Sequence, residues 1–281
     1  MAHVGSEQKY SESLNLHYGR NDLGKAILDS LIADGKDINK LRYEDLSAVD
    51  QFHSRGKEST LEMASLATLR REDRVLDVGG GLGGPARTLA FEFGCKVTVL
   101  DLTEEYCKAG EMLTSRIGLS NLVGFKNGSA LSIPFPDESF DVVWTQHSTM
   151  NISDKDRLYE EIHRVLVPRG RLAMNEILAG PEQPVRYPVP WASEPNLSFL
   201  LPPDEMRRLI SKHRFKEVAW IDHSKRSLDW FKERSVTSKE KNNHVGLHLL
   251  LANSSNGAFR NQVINLEDNR VVVVEALFER V

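Results

Sequence analysis

Residues 74–90 read RVLDVGGGLGGPARTLA, and five of the eight residues from Asp77 to Gly84 are glycine. A short apolar strand pattern runs into the glycines. A helix pattern with Pro85 in its first turn runs out of them. Glycines at such a junction let a ligand lie against the backbone and meet a helix N-terminus. Gly79, Gly81 and Gly84 give the G-x-G-x-x-G spacing. The stretch commits this part of the chain to strand, turn and helix, and to a nucleotide-like ligand. It leaves open which ligand.

The flanking sequence extends the same pattern. KVTVLDL, LVGFKNG, FDVVWTQH and RLAMNEIL read as strands. PARTLAFEFG, TEEYCKAGEMLTSRIG and SDKDRLYEEIHRVLVPRG read as helices, with Gly94 past the end of the first. Thr103 is the expected cap of the second, and Ser153 and Asp156 suit the start of the third. Strands that alternate with helices predict an α/β, Rossmann-like, doubly wound sheet, mostly parallel and covered on both faces.

Ahead of it, DLGKAILDSLIADG and STLEMASLATL place apolar residues on helical faces, with Gly35 closing the first and Ser59 or Thr60 capping the second. After it come a Pro-rich loop, AGPEQPVRYPVPWASEP, a helix PDEMRRLISKH and a strand FKEVAWIDHS. A long polar helical section over about 224–268 precedes the apolar final strand NRVVVVEALFER. The chain, 1–281, thus reads as a single domain. It has a helical N-terminal cap over 1–70, a ligand-binding core over 72–178, pocket and lid segments over 179–268, and a last strand over 269–281. A strand that returns to the sheet after such an excursion predicts a lid insertion shaping a substrate pocket.

Composition narrows the function classes. A formal charge of −4 argues against broad phosphate neutralisation, so no nucleic-acid partner is expected. The two cysteines, Cys95 and Cys107, read as reduced thiols and are too few for a structural zinc site. The sequence shows no signal-like apolar segment and no run near ~20 apolar residues. A cytoplasmic protein without a membrane span, monomer or homodimer, is expected.

Two acids separate the candidate ligands. A triphosphate loop fails, because no Lys follows the glycines. A nicotinamide dinucleotide is a real competitor: Asp101 ends the second strand 22 positions after Gly79, near the ~20 expected for a ribose-binding acid. Asp77, however, stands two residues before the first glycine. A dianionic pyrophosphate gains nothing from it, whereas a ligand with a free ammonium gains a partner. A ribose, a cationic amino-acid tail and no phosphate describe S-adenosylmethionine (SAM).

VLDVGGGLGG, VTVLDLT, IPFPDESFDVVWTQHSTMNI and EIHRVLVPRGRLAMNEIL resemble the successive motifs of class I SAM-dependent small-molecule methyltransferases. YGRNDLGKAILDSLIADG and DQFHSRGKESTLEMA are similar to the sarcosine/dimethylglycine methyltransferases and to related quinone, sterol and natural-product methyltransferases. The resemblance implies a seven-stranded sheet and SAM as cofactor. It implies that Gly79, Gly80 and Gly81 pass the methionine part, with Asp77 beside them. Asp101 takes the ribose, Leu102 packs on the adenine, and Ser129, Ala130 and Leu131 flank it. Gln146 and His147 lie near the transferable methyl. Tyr18, with Tyr10, sits on an N-terminal helix that closes over the cofactor. Many relatives carry an Asp where this chain has Ser129.

Methyl transfer from a sulfonium is an in-line displacement in which positioning does most of the work. A phenol or an ammonium must first lose a proton. His147, at a strand tip, is the catalytic candidate, and His53 in DQFHSRG is a weaker one. Packing against the cofactor or between helices is the plainer role for each. Glu176 faces the pocket or simply ends its strand. The chemistry requires no metal, and the sequence shows no cluster to hold one. Trp191, Tyr187, Met150 and Arg186 are the substrate candidates, with Trp144, Trp230 and 245–252 also near the cavity. Trp220 reads as core, and Arg55 or Arg186 could pair with an acceptor carboxylate. The reading is methyl transfer to a small-molecule acceptor, an amine of the sarcosine/dimethylglycine type. The alternatives are O- or C-methylation of a phenol, quinol or natural product, an NAD-dependent oxidoreductase, and a SAM-binding protein without turnover.

Overall fold

The computed structural model describes residues 22–237, 249 and 255–281. In chain order the main elements are α1 (Leu23–Ala33), α2 (Gly56–Leu66), β1 (Arg74–Val78), α3 (Gly84–Phe93), β2 (Lys96–Asp101), α4 (Glu104–Arg116) and β3 (Val123–Asn127). There follow β4 (Phe140–Gln146), α5 (Lys155–Val165), β5 (Leu166–Ala179), α6 (Pro203–Lys212), β6 (Phe215–Asp222), α7 (Ser224–Thr237), α8 (Ser255–Glu267) and β7 (Val271–Arg280).

The seven strands form one sheet in the order β3-β2-β1-β4-β5-β7-β6. The first five pair in parallel. β7 runs antiparallel between β5 and β6. The expected Rossmann-like, mostly parallel sheet is therefore present, and the excursion before the last strand is α7 and α8. The strand order reverses between β1 and β4. That is where open α/β sheets hold ligands, outside the carboxyl ends of the strands.

Two apolar cores lie on the two faces of the sheet. One joins Leu76, Val143, Leu172 and Phe278 with Ile162 of α5 and Ile210 of α6. The other joins Val75, Val99, Val142 and Ala173 with Met63 of α2 and Leu89 of α3. A third cluster is the cap's own. Leu23, Ile27 and Leu31 of α1 pack on Tyr106, Ala109 and Leu113 of α4, as the helical spacing predicts.

The cap is latched to the core at the glycine loop. Arg87 of α3 is fully buried and donates to Asp50 Oδ2 at 2.9 Å and Thr114 Oγ1 at 2.9 Å. A Cβ on Gly84 would overlap the Asp50 carbonyl oxygen, so only glycine permits this approach.

Several local expectations are corrected. α2 starts at Gly56, so Ser59 and Thr60 lie inside it; Ser59 Oγ donates to the Ser54 and Gly56 carbonyls. The cap of α5 is Asp154, which accepts from Arg157 N, not Ser153 or Asp156. α5 stops at Val165 and β5 starts at Leu166, because Pro168 cannot continue a helix. Thr103 stands at the N-cap of α4 but makes no side-chain cap bond. Gly94 closes α3 at φ 72° as read.

Candidate active site

The site begins where β1 ends. Gly79 N donates to Leu100 O at 2.7 Å, which carries the β1–β2 ladder one step past the strand. Gly79 then adopts φ 71°, and a Cβ there would lie 2.5 Å from Ser148 Cβ. The chain turns over the end of β1 and enters α3.

Asp77 lies beneath this turn. Its side chain is buried, and a Cβ on Gly80 would fall 2.5 Å from its Oδ2. Oδ2 has no hydrogen-bond partner among the described residues. Burial, and then the charge of Asp101, push the Asp77 carboxyl up to about 8. A buried carboxylate without a partner invites a cation. Asp101, at the tip of β2, is half-buried. Its Oδ2 accepts from Gly81 N and its Oδ1 from Thr103 N, each at 2.8 Å. Each oxygen keeps a second lone pair, so the carboxylate can still accept two hydroxyls. Burial raises its pKa, and those two N–H groups pull it back.

Around the far side of β2, Asn127 Nδ2 donates to the carbonyls of Asp101 and Leu102 and fixes their loop. Ser129, Ala130 and Leu131 follow β3 and are half-buried. Ser129 Oγ accepts from Leu131 N at 3.1 Å, which shapes this loop. Glycine loop, Asp101, Leu102 and Ser129–Leu131 thus line the carboxyl ends of β1, β2 and β3. The donor set fits SAM: an unpartnered buried acid for an ammonium, and a half-exposed acid for hydroxyls. Tyr18 and Tyr10 lie outside the described residues, as do 245–252 apart from Leu249.

The tip of β4 forms the other wall. His147 takes φ 51°, a left-handed conformation rare outside glycine, and its N–H donates to Asn175 O at 2.8 Å. Its Nε2 lies 3.2 Å from Ser54 Oγ. Burial, and then the neighbouring His53 ring, lower its pKa to about 3, against the opposing pull of the Asn175 side chain. His147 is therefore a neutral ring and a weak base. His53 is buried, and its Nε2 meets Gly56 O at 3.0 Å and Thr60 Oγ1 at 3.2 Å. It fixes the start of α2.

Glu176 was left open by the sequence and is a central piece. It is fully buried in β5 and accepts the backbone N–H groups of Ser148 and Thr149, each at 3.2 Å to Oε2. Burial pushes it up to about 7 despite those donors. Lys155, also buried, donates to the carbonyls of Thr149 and Ile152 at 2.8 Å each. Between them these two side chains pin the turn that presents His147 and Met150. The signal available in the sequence was Asn175-Glu176, two polar residues inside an apolar strand.

Gln146 is buried; its amide donates to Ser59 Oγ at 3.0 Å and accepts from Thr60 Oγ1 and the Trp144 indole. The side chain, next in sequence to His147, also bolts β4 to α2. Trp144 is fully buried in the core. Trp191 is 2% exposed, its indole donating to Ser198 Oγ at 3.0 Å. It belongs to an apolar cluster with Met150, Ile177 and Phe231 under α7, with Tyr187 and Trp230 packed on its edge. Arg186 is exposed, 3.5 Å from Asp268 in solvent. Trp220 is half-buried, between Phe278 and the Arg207 guanidinium.

Arg55 is buried and bonded to Glu62, which Arg226 also holds through both oxygens. Glu62, His223 and Glu275 bring three metal-donor atoms within 4.8 Å, a grouping the sequence did not show. Two guanidinium groups already occupy the Glu62 carboxylate, so the group reads as an ion network rather than a metal centre.

Residues 76–174 match the family model described as a methyltransferase domain. The chain is 30% identical over 190 residues to a glycine/sarcosine/dimethylglycine N-methyltransferase of Actinopolyspora halophila, which covers 68% of the chain and 33% of that protein. It is 28% identical over 196 residues to a sarcosine/dimethylglycine N-methyltransferase of Halorhodospira halochloris, covering 69% of the chain and 70% of that protein. The chain thus spans about a third of the length of the first relative. In fold it is similar to a geranyl diphosphate C-methyltransferase from Streptomyces coelicolor, with a TM-score of 0.67 at 19% identity over 97% of this chain and 98% of that one. No described helix is long and apolar enough to cross a membrane. With the glycine loop, the two acids and the sheet order in place, the chain carries a methyltransferase domain of the SAM-dependent type.

Proposed function

We propose that the protein transfers the methyl group of SAM to a small amine of the sarcosine/dimethylglycine type. When bound, SAM supplies an activated methyl on a sulfonium. This chain's residues then bind and orient. Asp77 holds the ammonium end and Asp101 the ribose, and the turn at His147–Met150 bounds the acceptor side.

The observation that carries the acceptor class is the likeness of the chain to two N-methyltransferases of glycine, sarcosine and dimethylglycine. His147, with its pKa lowered to about 3, is a poor acceptor for the proton of a phenol or of an ammonium. An amine acceptor therefore enters in its neutral form, already a nucleophile that needs only to be placed in line. The family match supports methyl transfer over dinucleotide oxidation.

The test is a screen for S-adenosylhomocysteine formation with sarcosine, dimethylglycine, phenols and quinols. Turnover confined to amines supports the reading. Turnover confined to phenols or quinols overturns the acceptor class, and SAM binding without turnover of any acceptor overturns the catalytic reading.

A further inference from the structure

A chain of hydroxyls links the lid to the site. Ser227, in the first turns of α7, is fully buried, and its Oγ donates to Ser54 Oγ at 3.3 Å. Ser54, also buried, belongs to the loop before α2, and its Oγ lies 3.2 Å from His147 Nε2. A serine hydroxyl has one proton. With Ser227 donating to Ser54, the Ser54 proton is left to point at Nε2. The ring is then a neutral Nδ1–H tautomer with Nε2 as acceptor, in keeping with its lowered pKa.

We propose that Ser227 and Ser54 are positioning residues, which fix the orientation and tautomer of His147 when cap and lid are both docked on the sheet. The three side chains come from three separate parts of the chain: the lid helix α7, the cap loop before α2, and the tip of β4. Only their joint docking completes the chain. His147 needs such a restraint, because its backbone is held at φ 51° and its neighbouring turn carries the acceptor wall. Seryl hydroxyls are otherwise rarely fully buried, and these two partner each other and the ring. Arg55, next to Ser54, ties the same loop to Glu62 of α2, and Arg226, next to Ser227, reaches the same carboxylate. Cap loop and lid helix are thus joined at two points, one buried and one at the surface.

This role rests on the methyl-transfer reading, but its first readout does not. The ring nitrogens of His147 are observed by nitrogen-15 correlation spectra of the labelled full chain, assigned with His147→Gln. We expect Nδ1–H with Nε2 as acceptor, a change of that signature in Ser227→Ala, and its retention in Ser227→Thr. Turnover of dimethylglycine is the second readout. Ser227→Ala should lower kcat about tenfold while KM for SAM stays within about twofold, with activity restored in Ser227→Thr. If Ser227→Ala fails to fold, Ser227→Cys carries the same readings with volume kept and the donor weakened. A wild-type ring protonated on Nε2 overturns the proposal, as does a Ser227→Ala variant that leaves either readout unmoved. If no acceptor turns over, the methyl-transfer reading fails while the spectra still decide the hydroxyl chain.

Discussion

The carboxylate of Glu176 accepts the backbone N–H of Ser148 at 3.2 Å from a fully buried place in the sheet. A strand side chain thereby dictates the path of a loop in the next strand's turn, and that loop carries His147. Removing the carboxylate leaves the Ser148 and Thr149 N–H groups unpaired. Glu176→Ala should lose about 3 kcal/mol of stability, from the unpaired donors and the cavity together. Urea unfolding would show a lower midpoint; a midpoint equal to wild type means the clamp is not needed.

The same residue sets a pH dependence. Its pKa is raised from 4.5 to about 7 in the folded chain, so the folded state holds a proton that the unfolded state has released. Glu176 therefore favours folding most below pH 4.5. Its share falls as pH rises through that window and levels off above about 7, a change of about 3 kcal/mol. Glu176→Gln should flatten the stability profile between pH 5 and 7. An unchanged slope would assign the profile to other groups, such as Glu275, also raised to about 7.

Asp77 predicts a proton released on ligand binding. Its carboxyl is raised to about 8, so at pH 6 the free protein holds it neutral. A cationic ammonium needs it ionised. The α-amino group of SAM stays charged below about pH 7.7, so the ligand is constant from pH 6 to 7. Affinity should therefore rise up to about tenfold over that unit. Calorimetry in two buffers of different ionisation enthalpy checks it, and Asp77→Asn should abolish the slope. Affinity independent of pH in the wild type would remove Asp77 from the ammonium's contact.

Gly84→Ala tests the latch between cap and core. The new methyl meets the Asp50 carbonyl, so α3 and the cap loop must part. We expect a loss of about 1–3 kcal/mol from overpacking and faster proteolysis within the cap. A variant cleaved and unfolding like wild type would show that the loop gives way freely.

The sheet was legible because its signals are local. Alternating strand and helix periods, the Pro85–Gly94 bracket of α3 and the apolar β7 each follow from a few neighbouring residues. The places of Asp77 and Asp101 at the ends of β1 and β2 were legible for the same reason, as acids at fixed distances from a glycine turn. The fate of the tryptophans was not. Trp144 and Trp191 carry the same side chain wherever they sit, and only the tertiary surface decides that both are buried with their indole N–H bonded to Gln146 and Ser198. The bonds of Gln146 and Glu176 were not legible, because their partners, Ser59, Thr60 and Ser148, come from other elements. The Ser227–Ser54–His147 chain spans 173 residues at its longer link, beyond the reach of any local pattern.

Asp101→Ala isolates the second acid. It removes the acceptor proposed for the ribose and frees the Gly81 and Thr103 N–H groups. SAM affinity should fall by about 1–3 kcal/mol in calorimetry. An unchanged affinity would place the ribose elsewhere.

The most direct measurement is a pair of titrations of the wild-type chain, one with SAM and one with NAD, under identical conditions. Saturable SAM binding with Kd of order 1 μM, about −8 kcal/mol, and no heat from NAD are expected. Saturable NAD binding with no SAM binding would contradict that expectation.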